Sequence, residues 1–159
     1  MLNNLGIVVP GKLYRSAQPD AKGFADLREL GVRMVLKLNS EHEYPLAREN
    51  QECQGPETPV TVCSSILSTF SPLEAKVRAI ATDIQCAMEA GNCILVHCTH
   101  GRDRTGLVIG AWRLLYDHWT LDQVLAERKL YGAGWLVDLA DHEILEVLER
   151  IATGRTDDG

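Results

Sequence analysis

Cys98 and Arg104 are separated by five residues where an apolar strand pattern gives way to an apolar helix pattern. A loop of this length at the start of a helix places backbone N–H groups around a common centre, and the helix macrodipole favours an anion there. The same field favours a thiolate over a thiol, which would make Cys98 a nucleophile. The planar guanidinium of Arg104 can bind two phosphoryl oxygens at once. These residues predict a phosphate-binding catalytic loop.

A structural alternative exists for the cysteine, because a cysteine that ends a buried strand is usually a core residue. That alternative would not explain the polar residues that crowd into the turn after it. We therefore expect a bound phosphate to contact the residues of the turn itself, namely Thr99, His100, Gly101, Arg102, Asp103 and Arg104.

The segment 97–106 resembles the signature loop of the cysteine-dependent protein-tyrosine phosphatase superfamily, with a histidine before the cysteine and Thr-Gly after the arginine. The segment 13–19 resembles the entry motif of the dual-specificity-like branch, which includes bacterial, plant and fungal phosphatases and tyrosine-phosphatase-like inositol phosphatases. The resemblance is loose over residues 14–131 and close only in the loop. It implies a phosphomonoester hydrolase that forms a phosphocysteine and requires no metal or other cofactor.

The resemblance also implies roles for residues near the cysteine. Thr105 would donate a hydrogen bond that helps the sulfur to leave in the second step, although it is also a good first-turn residue. His97 would order the loop by hydrogen bonding, because strand alternation turns it away from Cys98. Arg15, in the entry motif, would form an ion pair that supports the wall of the site or would contact the substrate.

The general acid is not where related phosphatases carry it. Relatives usually have an aspartate on the loop before the catalytic strand, but residues 63–73 contain no carboxylate. Asp103 is the best-placed carboxylate, and myotubularin-like lipid phosphatases carry an aspartate at this loop position. Two roles stay open for Asp103: proton donor, or partner of Arg15, Arg102 or another cation.

The substrate class is open between phosphotyrosine or phosphoserine proteins and inositol polyphosphates. His100 and Arg102 make the loop cationic, which suits a substrate with several phosphates. A rhodanese-like sulfurtransferase is a rival class, but the Arg-Thr-Gly ending disfavours it. A non-catalytic phospho-binding module would normally lack the cysteine or the arginine. An arsenate reductase would carry its loop near the N-terminus.

The composition describes an ordinary globular protein. The 159 residues are 45% hydrophobic and 24% charged, with a net charge of −6 that disfavours nucleic acid as a partner. We expect no membrane span, since there is no run of about 18 apolar residues, and no secretory signal. Five cysteines without paired spacing argue against a disulfide framework or a zinc site and favour a reducing cytoplasm.

Strand and helix patterns alternate along the chain, which predicts an α/β fold with a central, mainly parallel sheet of four to five strands flanked by helices. We expect one phosphatase domain over residues 1–153 and a flexible C-terminal tail at 154–159. Strands are predicted at 6–9, 12–15, 32–38, 60–62 and 93–96, and helices at 20–30, 71–91, 105–116, 120–130 and 137–152. A short helix and a loop are predicted within 41–57.

Two helices begin with predicted capping boxes, Ser71 with Glu74 and Thr120 with Gln123. In the first of these helices, the buried face should include Leu73, by its spacing from the apolar residues that follow.

Overall fold

The computed structural model describes residues 2–40, 60–68, 72–133 and 139–154. The described residues form five strands, which are β1 (Gly6–Val9), β2 (Leu13–Ser16), β3 (Met34–Lys37), β4 (Thr61–Ser64) and β5 (Ile94–His97). They also form five helices, which are α1 (Ala21–Leu30), α2 (Glu74–Glu89), α3 (Asp103–Tyr116), α4 (Leu121–Leu130) and α5 (Leu139–Ala152). The predicted helix and loop within 41–57 lie outside the described residues.

The strands form one sheet in the order β1-β2-β5-β3-β4, with β1 antiparallel to β2 and the other pairs parallel. The predicted α/β fold with a mainly parallel sheet is confirmed. Strand β5 lies between β2 and β3, and all four of its residues are buried, as is typical of a central strand in a parallel sheet. Parallel strands end at the same edge of the sheet, so the residues that follow β2, β3 and β5 share that edge.

Local capping sets the helix ends. The Asp20 carboxylate accepts a hydrogen bond from the Gly23 N–H before α1, and Gly31 ends that helix with a φ of 85°. The predicted capping box at the start of α4 is confirmed, since the Thr120 hydroxyl accepts from the Gln123 N–H and the Gln123 amide oxygen accepts from the Thr120 N–H.

The start of α2 differs in part from the prediction. Ser71 lies outside the described residues, and the helix begins at Glu74, whose buried carboxylate accepts hydrogen bonds from Arg78 and Arg150. The prediction that Leu73 is buried is wrong, because Leu73 precedes the first helical residue and is 68% exposed.

The described residues group into two compact units. The unit within Met1–Ile66 and Cys86–Gly101 contains the sheet and α1, and the side chains of Leu2, Tyr14, Phe24, Leu27 and Leu95 contribute to its core. The unit within Leu67–Gln85 and Arg102–Gly159 contains α3, α4, α5 and most of α2.

In the helical unit, a Cβ atom on Gly110 would lie 2.7 Å from Val124 and 3.1 Å from Leu148, so the absent side chain allows α3 to approach α4 and α5. In the described part of the chain, no helix combines the length and apolar character that crossing a membrane requires. The boundaries of the predicted domain and tail stay a prediction, and residues 155–159 lie outside the described residues.

Candidate active site

The predicted catalytic loop follows β5 and leads into α3, so Cys98 comes directly after the end of the central strand. Cys98 is 2% exposed, whereas His100 and Arg102 are exposed. The chain passes from the sheet unit to the helical unit between Gly101 and Arg102. The strand side of the loop is residues 97–101, and the helix side is residues 102–105.

Hydrogen bonds hold five successive carbonyl groups on the strand side. The acceptors are the carbonyls of residues 97–101, and their donors are Leu38 N (2.9 Å), His97 Nδ1 (3.1 Å), Gln18 N (3.1 Å), Asn4 Nδ2 (3.1 Å) and Arg15 Nη2 (3.1 Å), in that order. In a trans peptide, the N–H of the next residue points opposite to the carbonyl. Each N–H group of residues 98–102 therefore points opposite to the carbonyl that precedes it, and the anchored carbonyls fix the directions of these five hydrogen-bond donors.

Arg15 and Asn4 provide the side-chain anchors at the end of this stretch. Arg15 is fully buried in β2 and donates to the Gly101 carbonyl, so its described contact supports the loop backbone. Asn4 lies before β1 and also reaches the Gly101 carbonyl, at 3.4 Å. No local motif marks Asn4 in the sequence, because it lies 96 residues from His100.

Gly101 fits the loop because it has no side chain. Its φ is 72°, and a Cβ atom there would lie 2.6 Å from the carbonyl carbon of Ser16 and 2.7 Å from the nitrogen of Ala17. The loop thus contacts the backbone at the end of β2 directly. Any larger residue would have to displace one of the two segments.

His97 is a buried, neutral histidine. Burial lowers the pKa of His97 to about 4, the hydrogen bond to the Cys98 carbonyl opposes this change, and the charge of Lys37 adds to it. Because the carbonyl oxygen accepts, Nδ1 must carry the proton. His97 therefore orients the peptide that follows Cys98.

Lys37 pairs in register with His97 and is 1% exposed. The signal for Lys37 in the sequence is a cation between two leucines near the end of the predicted strand 32–38.

The helix side carries the remaining predicted site residues. Asp103 is the first residue of α3, is partly exposed, and has no ion pair with any residue that the structure describes. Arg104 follows it and is also partly exposed. The Thr105 hydroxyl is buried and has no hydrogen-bond partner within the described ranges. The side-chain stem of Arg102 packs over Gly132, where a Cβ atom would lie 2.9 Å from Arg102 Cδ.

Four cysteines lie in the described residues, and all four are free thiols: Cys63, Cys86, Cys93 and Cys98. Within that part of the chain, no group of three or more His, Cys, Asp or Glu side chains is arranged to hold a metal ion.

A family model described as "Tyrosine phosphatase family" matches residues 1–151. The chain belongs to the tyrosine phosphatase family. Among curated members, it is 30% identical over 129 residues to the dual specificity protein phosphatase TpbA of Pseudomonas aeruginosa, covering 81% of this chain and 55% of TpbA. It is also 30% identical over 126 residues to the inositol diphosphatase SIW14 of Saccharomyces cerevisiae, covering 78% of this chain and 44% of SIW14. This family member thus spans about half the length of these relatives.

Solved structures show the same fold. TpbA in complex with phosphotyrosine matches with a TM-score of 0.72 and 26% identity, over 95% of this chain and 89% of that one. The core catalytic domain of SIW14 in complex with citrate matches with a TM-score of 0.71 and 26% identity, over 96% of this chain and 93% of that one.

Proposed function

We propose that this chain is a metal-independent phosphomonoester hydrolase with Cys98 as its nucleophile. The observation that carries the proposal is the row of anchored carbonyls at residues 97–101, which fixes the directions of the intervening N–H groups in the segment that leads into α3. Such a set of donors binds a phosphoryl group and stabilises the charge that develops on its oxygens. Membership of the tyrosine phosphatase family supports the same reaction.

In the first step, the Cys98 thiolate attacks phosphorus in line with the leaving oxygen. The P–S bond forms as the P–O bond breaks, and the leaving oxygen takes a proton from an acid. Arg104 binds two of the phosphoryl oxygens through its planar guanidinium, together with the loop N–H groups. The loop and the arginine supply the positive charge that a metal ion would supply in other phosphatases.

In the second step, water attacks the phosphocysteine. The P–S bond breaks, its electron pair returns to sulfur, and the two water protons leave on inorganic phosphate. The buried hydroxyl of Thr105, which has no partner among the described residues, is suited to donate to the departing sulfur.

Asp103 is the acid in this proposal. Its alternative role was that of an ion-pair partner, and it has no such partner among the described residues. Glu74, the carboxylate nearest to the loop that lacks an acid, is buried against Arg78 and Arg150. These contacts favour Asp103 over Glu74 as the donor.

The substrate is a phosphoprotein or an inositol polyphosphate. TpbA is a dual specificity protein phosphatase and SIW14 an inositol diphosphatase, so the relatives represent both classes. The exposed positions of His100 and Arg102 favour a substrate with several phosphates, because both side chains are open to groups outside the catalytic loop. We place the enzyme in a reducing, cytoplasmic compartment, which would keep Cys98 and the other described thiols reduced.

Hydrolysis of para-nitrophenyl phosphate in the presence of EDTA tests the reaction. We expect turnover by the wild-type chain and a loss of at least about a thousandfold in Cys98→Ser, because the hydroxyl is a far weaker nucleophile at neutral pH. Cys86→Ser is the matched control, since Cys86 is an exposed thiol in α2. Near wild-type activity of Cys98→Ser would contradict the proposal.

The substrate class is tested with phosphotyrosine peptides and inositol hexakisphosphate. Arg102→Ala should lower kcat/KM for inositol hexakisphosphate by about tenfold and for the peptides by less, because one charge-assisted contact is lost. Lys12→Ala is the control, since Lys12 is an exposed cation that precedes the first residue of β2, whereas the catalytic loop contacts the last residue of that strand. Equal effects of the two variants on both substrates would exclude a role for Arg102 in the choice of substrate.

A further inference from the structure

Two side-chain amides form a pair at the edge of the sheet where the catalytic loop begins. The Asn39 amide nitrogen donates to the Gln18 amide oxygen at 2.7 Å. Asn39 is 1% exposed and lies beyond the end of β3, and Gln18 lies beyond the end of β2. The backbone N–H of Gln18 donates to the Thr99 carbonyl, so the pair is attached to the loop directly.

The pair crosses the end of the strand that delivers the cysteine. Strand β5 lies between β2 and β3, and both Ser16 and Lys37 pair in register with His97. Two residues further along each segment, Gln18 and Asn39 therefore stand on either side of Thr99. A hydrogen bond between their side chains bridges the chain just after Cys98.

The bridge leaves hydrogen-bonding capacity unused. The Asn39 amide oxygen and the Gln18 amide nitrogen are both buried, and neither has a hydrogen-bond partner among the residues that the structure describes. A single bond between two amides always leaves one acceptor and one donor, whichever way the amides are turned. Burying polar atoms without hydrogen bonds lowers the stability of a folded protein, so we expect these two atoms to bind a ligand.

We propose that the Gln18–Asn39 pair binds a hydroxyl group at the catalytic loop. A hydroxyl both donates and accepts, so it matches the open acceptor of Asn39 and the open donor of Gln18. Two sources have this chemistry: the water that attacks the phosphocysteine, and a hydroxyl carried by the substrate. The inference rests on the proposed phosphatase reaction and assigns to that site two residues that lie outside the Cys98–Arg104 loop.

A water held by the pair would take part in the second step. The Gln18 amide nitrogen would donate a hydrogen bond to the water oxygen, and one water O–H would donate a hydrogen bond to the Asn39 amide oxygen, which leaves a lone pair on the water oxygen for attack on phosphorus. The P–O bond forms while the P–S bond breaks, and the thiolate and dihydrogen phosphate are released. A substrate hydroxyl in the same place would instead contribute to binding and to the first step.

The test uses Gln18→Met, which removes the side-chain amide but keeps the backbone N–H that binds Thr99. If the pair holds the water, kcat for para-nitrophenyl phosphate falls about tenfold with kcat/KM unchanged, and a burst of phosphocysteine accumulates in rapid-quench experiments. If the pair holds a substrate hydroxyl, kcat/KM falls about tenfold for glycerol 2-phosphate and not for isopropyl phosphate, which lacks the two hydroxyls. Either result supports the inference and identifies the source.

The double variant Gln18→Met/Asn39→Leu distinguishes a ligand-binding role of the pair from a purely structural one. Replacing both partners with apolar groups of similar shape restores much of the stability that one substitution removes. A structural pair would then recover activity along with thermal stability, whereas a ligand-binding pair would stay impaired.

Gln85→Met is the control, since Gln85 is an amide in the helical unit that accepts from Trp112. If both Gln18 variants match this control on every substrate, the inference is wrong. Loss of wild-type turnover in Cys98→Ser tests the proposed phosphatase reaction separately. If that loss is seen and Gln18→Met has no effect, the result counts against the role of the amide pair and not against the phosphatase reaction.

Discussion

The two sides of the catalytic loop are built differently. On the strand side, all five carbonyls of residues 97–101 have named donors, and Cys98 and Gly101 are buried. On the helix side, Arg102 occupies the N-cap position without a side-chain capping bond, and Asp103 has no ion pair with the described residues. The strand side is therefore a fixed backbone, whereas on the helix side Asp103 has no ion pair and the Thr105 hydroxyl has no hydrogen bond with the described residues.

Because of this difference, we expect substitutions on the two sides of the loop to have different effects. Substitution of Asp103 on the helix side should change rates with little effect on stability, because it removes no ion pair with the described residues. Substitutions on the strand side should lower stability and anion binding together, because the same hydrogen bonds support both.

The largest effect is expected for Arg104→Lys. One ammonium cannot replace a bidentate fork, so kcat/KM should fall by at least about a hundredfold while the melting temperature stays close to that of the wild type. Arg33→Lys, at the start of the segment that leads into β3, is the control. A loss under about threefold would show that Arg104 does not bind the phosphoryl group.

Asp103→Asn should act through the leaving group. The substitution keeps the shape and hydrogen bonds of the side chain but removes the acid, so we expect about a hundredfold loss for alkyl phosphates and a much smaller one for para-nitrophenyl phosphate. Rates measured across leaving groups of graded basicity would show a steeper dependence in the variant.

Asp122→Asn is the control for the previous substitution, because Asp122 is also in the first turn of a helix. A uniform loss for all leaving groups, together with weaker vanadate binding, would instead make Asp103 a structural residue of the helix side.

His97 should make the strand side sensitive to acid. Its pKa is lowered from 6.5 to about 4 in the fold, so between these values the unfolded chain binds more protons and stability falls as the pH falls. The full shift corresponds to about 3 kcal/mol in the free energy of unfolding. This contribution is fully present above pH 6.5 and is lost as the pH approaches 4.

Urea unfolding at a series of pH values measures this loss. His97→Asn keeps a donor for the Cys98 carbonyl but has no proton to gain, so its stability should change less between pH 6.5 and 4. His142→Asn, at a histidine whose side chain is 66% exposed, should behave like the wild type. If the stability of all three proteins falls equally with pH, His97 is not the cause of the loss of stability in acid.

The two sides also differ in how far the sequence predicts them. Cys98, Asp103 and Arg104 stand out because their types and spacing form a local motif, and the capping box at Thr120 is local as well. The anchors depend on contacts between distant segments, such as Asn4 with His100, which no local pattern encodes. The alternation of strands and helices predicts the mainly parallel sheet, but not that the amide pair of Gln18 and Asn39 bridges its central strand.

Gly101→Ala should disturb the strand side at the point where its backbone is closest to β2. The alanine Cβ would lie 2.6 Å from the carbonyl carbon of Ser16, and the residue would keep a φ of 72°. Such strain costs about 1–3 kcal/mol, so we expect lower stability and weaker vanadate binding in the same variant.

Gly11→Ala distinguishes the effect of a steric clash with a neighbouring segment from the effect of an unfavourable φ. Gly11 has a nearly equal φ of 73°, but a Cβ atom there would meet no atom within 4 Å, and it lies in the turn between β1 and β2. Both variants should lose stability, because both place alanine in the left-handed region. Only Gly101→Ala should weaken vanadate binding, since only there does the added atom push the loop away from the segment that orients its carbonyls. Equal vanadate affinity in the two variants would mean that the strand side tolerates displacement, and the contrast between a fixed and a chemically active side would then have to be abandoned.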